Sequence, residues 1–253
     1  MPFTLCHPAA VIPLHACARR RAALPALVIG SMAPDFAYFV SLGVGGNFTH
    51  TAWGVPVYCV PAGLIVYLVY CLLVRPALLA WLPHAVSARM PTDIQWTLRS
   101  PGAMATVLIS LAVGALTHII WDSFTHANTV VVDSLSWLRT VVALGEYQIP
   151  VFKLLQHLSS LAGLVVIVSS VAMWFKRTAP GLRHPAPLSV RQRMFTLSLV
   201  VAAGVFGGVA GSVYRSAKTI EHGLFHFVVT GMASAAFAVL VLCIAWRVNA
   251  RRG

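Results

Sequence analysis

Two imidazoles and a carboxylate recur at four-residue spacing in the segment GALTHIIWDSFTHA, as His118, Asp122 and His126. On a helix, that spacing puts them on one face, one turn apart. Imidazole nitrogen and carboxylate oxygen together make a donor set for a divalent ion such as zinc, iron or manganese. The same groups can instead hydrogen-bond one another and a neighbouring helix, as polar side chains do inside membrane bundles. Spacing alone leaves both readings open.

The surroundings raise the cost of such a row. The chain of 253 residues is 58% hydrophobic and only 9% charged, where a soluble domain carries about a quarter charged residues. This composition marks an all-α, polytopic membrane protein whose first partner is the lipid bilayer. The net charge of +12 follows from basic residues collecting in cytoplasmic loops and does not imply a nucleic-acid partner. The cysteines Cys6, Cys17, Cys59, Cys71 and Cys243 are scattered and odd in number. They read as small buried hydrophobes without a disulfide framework. In the N-terminal stretch the arginines follow the apolar part, the reverse of a secretory signal.

A membrane-crossing helix needs about 20 mostly apolar residues. Long candidates lie at about 54–74, 103–121, 154–175, 194–214 and 224–246, and a sixth at 23–42 holds Pro25, Pro34 and Asp35. The stretch 2–18 is short and proline-containing, and reads as a half-helix or re-entrant arm that turns at Arg19–Arg21. With 23–42 counted as a crossing, fourteen of the eighteen Lys and Arg residues fall on one side. The other four are Arg139, Lys153, Arg215 and Lys218. The positive-inside rule then predicts six transmembrane helices with both termini cytoplasmic. The whole chain, 1–253, reads as a single integral membrane domain. The loop 176–193 is proline-rich and basic.

Depth brings the ionisable residues together. A carboxylate inside a crossing costs several kcal/mol unless it is paired, protonated or metal-bound, so Asp35 needs a partner. At a rise of about 1.5 Å per residue, Asp35 lies about 21 Å beyond Arg21, and His118 about 22 Å into its own helix. An arm folded back at Arg19–Arg21 carries His7 to the level of Asp35. His50, His157, His222 and His226 all lie near the outer ends of their helices. Each has a plainer explanation: His50 as a cap, His157 as a cross-helix hydrogen-bonder with Gln156, Ser159 and Ser160, and the others as interfacial histidines. Their shared level is what favours a site.

The segments MPFTLCHPAAVIPL, ALVIGSMAPDFAYF, FTHTAWG, GALTHIIWDSFTH and IPVFKLLQHLSSLAGL, in that order, resemble the bacterial membrane family catalogued as domain of unknown function 4184. The resemblance covers residues 1–170; 171–253 adds a basic loop and two further transmembrane helices. The family is itself distantly similar to inner-membrane metal-dependent hydrolases, which carry an early His, a Pro-Asp element, a His-Thr element and a later HxxxD. That similarity implies metal ligands at His7, Asp35, His50, His118 and Asp122.

The resulting expectation is a membrane-embedded, metal-dependent hydrolase in a bacterial inner membrane, holding zinc and acting on a lipid or other amphiphile from the outer leaflet. Asp122 or His126 would be its general base, with His157 and Ser159 supporting the ligands from behind. A transporter or proton relay built on the same cluster is the competing class. It would need polar residues through the inner halves of the helices, which are almost wholly apolar. A structural membrane protein with a self-satisfied polar knot is the third reading.

Overall fold

A computed structural model describes residues 4–18, 22–39, 45–91, 100–181, 188–214 and 219–250. The expected turn at Arg19–Arg21 lies outside the described residues. The described residues are mostly helical, and the chain divides into two compact units.

Among the described residues, five helices are long and apolar enough to cross a membrane, rather than six. They are α3 (Val55–Trp81), α4 (Pro101–Thr125), α5 (Val151–Arg177), α6 (Val190–Tyr214) and α7 (Ile220–Asn249). Ahead of them come two short helices, α1 (Pro8–Cys17) and α2 (Leu24–Gly30). The sixth expected crossing is broken. After α2 the chain makes a turn at Ser31–Met32, a single tight turn over Ala33–Asp35, and a short helix over Phe36–Phe39. Pro34 cannot donate a backbone hydrogen bond, and its ring disfavours helix in the residue before it. Total apolarity does not register such a break.

The first unit comprises Met1–Ala37, Gly43–Tyr67 and Gln95–Arg177. Its centre is the crossing of α2 and α4, where backbones touch. A Cβ on Gly30 would strike the backbone of Leu111, and one on Gly114 would strike the carbonyl of Leu27. Small residues let membrane helices approach this closely. Beside the crossing, Ala33, Val55, Cys59 and Ala115 form a buried cluster with Phe36, Tyr58 and Ile119 packed on it. The arm α1 lies against α2, α4 and α5. Between α4 and α5 the chain forms two short helices, Val130–Ser134 and Ser136–Arg139, and a hairpin of β1 (Val141–Leu144) and β2 (Tyr147–Pro150). Gly145, at φ 64°, supplies the positive φ that its two-residue turn requires.

The second unit comprises Tyr38–Leu42, Leu68–Ile94 and Thr178–Gly253. It is built on the packed pair α6 and α7, with the end of α3 beside α7. α3 widens by a residue per turn over Tyr70–Val74, just ahead of Pro76. A proline leaves the carbonyl four residues back without its usual partner, here that of Leu72. The Arg247 guanidinium donates to that carbonyl.

Candidate metal centre

The broken segment, the arm, the short helix Gly46–Thr49 with His50 at its end, and the C-terminal end of α4 each deliver polar side chains to one place in the first unit. The tight turn at Ala33–Asp35 points the Asp35 carboxylate inward, where it is 3% exposed. The short turn preceding α1 brings the Thr4 hydroxyl to Asp35, donating to Oδ2 at 2.5 Å. His7, one turn further on, is turned onto α4. Its Nε2 lies 3.1 Å from Asp122 Oδ1, and its ring stacks on that of His118 with centroids 3.7 Å apart. The arm therefore places Thr4, rather than His7, in direct contact with Asp35.

Two histidines are aimed by backbone carbonyls. His118 Nδ1–H donates to the carbonyl of Ser31, in the turn after α2, at 2.8 Å. His50 Nδ1–H donates to the carbonyl of Gly46, one helical turn back, at 2.8 Å. Each bond holds the proton on Nδ1, so that Nε2 is the nitrogen a neutral ring offers to an ion, as a carbonyl or carboxylate behind a metal-ligating histidine does. Both Nε2 atoms face the two carboxylates. His118 Nε2 is 3.2 Å from Asp122 Oδ2 and 3.7 Å from Asp35 Oδ1. His50 Nε2 is 3.5 Å and 3.4 Å from the same two oxygens.

Among the described residues, two groups of donors lie close enough to hold an ion: His7, His118 and Asp122, and Asp35, His50 and His118. They share His118, so the five side chains form one cluster. His7, His118 and Asp35 are sealed in, while the side chains of His50 and His126 are 21% and 30% exposed. The cluster thus opens toward His50 and His126. Burial works against a charged His50, but its hydrogen bonds to Asp122, Asp35 and the Gly46 carbonyl outweigh it and raise its pKa to about 10.

The supporting residues differ in how they meet the cluster. His126 Nδ1 lies 3.5 Å from Asp122 Oδ1, and its Nε2 meets the Gln156 amide nitrogen at 3.1 Å. His157 is exposed, and its neighbour Gln156 is the buried residue that faces inward. Ser159 accepts a hydrogen bond from the Trp121 indole at 3.0 Å, and Trp121 in turn lies against the His7 ring. Its contact with the cluster is therefore indirect. His222 belongs to the second unit, where it pairs with Thr219. Thr4 and Gln156 were not among the expected site residues. Thr4 has a faint signal, lying three residues before His7. Gln156 has a clearer one, as the only amide in α5.

Apolar helices long enough to cross a bilayer and a buried His/Asp cluster define the class: an all-α membrane protein with a candidate metal centre. The chain belongs to the family described as Domain of unknown function (DUF4184), whose model matches residues 1–244. No curated protein and no solved structure matches it significantly.

Proposed function

We propose that the chain is a membrane-embedded, metal-dependent hydrolase of a bacterial inner membrane, acting on a lipid or another amphiphile from the outer leaflet. The observation that carries this reading is the convergence of three imidazoles and two carboxylates in one buried cluster, with two of the imidazoles pre-aimed by backbone carbonyls.

The residues fit a divalent ion. His118 Nε2 is buried and makes no hydrogen bond, an arrangement that costs free energy unless something else occupies the lone pair. Two carboxylates bring two negative charges into a sealed spot, and one divalent ion with neutral imidazoles balances them. A second divalent ion would leave a buried surplus of charge, which is costly. We therefore assign one ion per chain and take it to be zinc, one of the divalent ions, with iron and manganese, that imidazole and carboxylate donors suit. When bound, it would polarise the substrate and acidify a water molecule.

His7, Asp35, His50 and His118 hold the ion in this reading. Asp122, nearer the open side, also receives the proton of the attacking water. The water oxygen bonds to the ester carbon or phosphorus, the bond to the leaving oxygen breaks, and that oxygen takes up the proton. An amphiphilic substrate is supported by the cluster's setting. Trp53, Trp137 and Tyr147 are exposed around the helix ends flanking it, as interfacial aromatic anchors are. An apolar groove lined by Ala9, Ala162, Gly163 and Val166 shares Trp121 as a wall with the cluster.

The test is to incubate detergent-purified protein with radiolabelled bacterial lipid extract. Wild type should release a water-soluble head group or a free fatty acid, and Asp122→Asn should not. A metal-loaded wild type that releases nothing from any lipid class would refute the hydrolase reading.

A further inference from the structure

Gln156 and Ser160 lie one turn apart on the buried face of α5, while His157 and Leu158 between them are exposed. A primary amide on a buried helix face must be hydrogen-bonded to be tolerated. Its nitrogen meets His126 Nε2 at 3.1 Å. The other ring nitrogen, His126 Nδ1, is surrounded by acceptors. The Asp122 carbonyl is 3.3 Å away and Asp122 Oδ1 is 3.5 Å away. The Thr125 hydroxyl oxygen, 3.2 Å away, has the Trp121 carbonyl to take its own proton. A nitrogen facing a carboxylate and a carbonyl carries the proton, so Nε2 is left as the acceptor. The Gln156 amide N–H donates to it.

We propose that Gln156 is a positioning residue for the metal centre. It locks His126 as the Nδ1–H tautomer, and His126 in turn braces Asp122 for its part in binding the ion. This role rests on the metal-binding reading. It has a chemical consequence. Both nitrogens of His126 are engaged, so His126 is neither an ion ligand nor a free base, and proton acceptance falls to the Asp122 carboxylate.

The test is a double-mutant cycle on full-length protein in detergent, titrated with Co²⁺ and with Zn²⁺ against a chromogenic chelator. Gln156→Met keeps the bulk of the side chain and removes both amide donors. It should weaken both ions by about 10–100-fold, the usual size for a residue behind a ligand. One ion per chain should still bind at saturation, with the Co²⁺ visible bands displaced. In a His126→Ala background the same change should have no further effect, because the partner is already gone. Wild-type affinity in Gln156→Met, or losses that multiply with His126→Ala, would overturn the role while leaving the metal centre standing. A wild type that binds neither ion would refute the metal-binding reading, and the role with it.

Discussion

The Thr4 hydroxyl donates to Asp35 Oδ2 at 2.5 Å, while Oδ1 of that carboxylate meets His50 and His118. One hydrogen bond from the arm thus decides which lone pairs Asp35 can offer an ion. Thr4→Val keeps the shape and removes the donor. It should lower metal affinity by about 10–100-fold, and Thr4→Ser should restore most of it. Chelator competition reads both.

Removal of a ligand itself should cost more. Asp35→Asn retains an oxygen that can accept from Thr4 but loses the charge. It and His118→Ala should weaken binding by more than about 100-fold, beyond the range for residues behind the ligands. His157→Ala, at an exposed position, should leave affinity unchanged. Equal effects across the three variants would mean that the measurement reports general destabilisation rather than ligation.

Backbone contact between α2 and α4 sets the register of the site, because Ser31 follows α2 directly and its carbonyl aims His118. Gly114→Val would drive side-chain atoms into the Leu27 carbonyl. The helices must then part, which costs several kcal/mol if no repacking relieves it. The expected result is a lower thermal midpoint in detergent together with lost metal binding. An unchanged midpoint would show that the helices accommodate the side chain.

The sequence carries some of this in readable form and not the rest. Asp35, His118 and Asp122 stand out because a carboxylate or imidazole in an apolar stretch is costly, and helix rise converts their positions into depth. Helix rotation is not so encoded. Whether Gln156 or His157 faces inward depends on how α5 packs, and adjacent residues differ by about 100° around a helix. Backbone acceptors such as the Ser31 and Gly46 carbonyls carry no residue-type signal at all. The break in the expected helix over 23–42 went unread for a different reason. Hydropathy sums apolar residues over 23–42, whereas Pro34 and the turn at Ala33–Asp35 act locally.

Leu24–Phe39 would span about 24 Å even if wholly helical, short of the ~30 Å bilayer core. Its flanking charges nevertheless argue that the chain changes sides there. With a crossing at this point, Arg19–Arg21 share a side with Arg75, and fourteen of eighteen basic residues lie together. A reporter fused after Gly253 and a tag at the N-terminus should therefore both be cytoplasmic. A tag on the opposite side from Arg75 would make the segment re-entrant.

The pairing of His50 with two carboxylates predicts how metal uptake depends on pH. In the metal-free protein its pKa is raised from 6.5 to about 10, so at neutrality its Nε2 carries a proton. An ion that takes this nitrogen must displace that proton, because a histidine ligand binds in its neutral form. Apparent affinity should then fall about tenfold for each pH unit below 10, with about one proton released per ion from this residue. Without metal the sign for stability is the opposite of a depressed carboxylate's. The His50 contribution is complete below 6.5 and is lost as pH rises through about 10. Removing the metal should therefore hurt most at alkaline pH, where unprotonated His50 no longer balances Asp35 and Asp122. Thermal melts with and without chelator at pH 7 and pH 10 test this. A chelator-induced loss no larger at pH 10 than at pH 7 would show that His50 does not stand in for the ion.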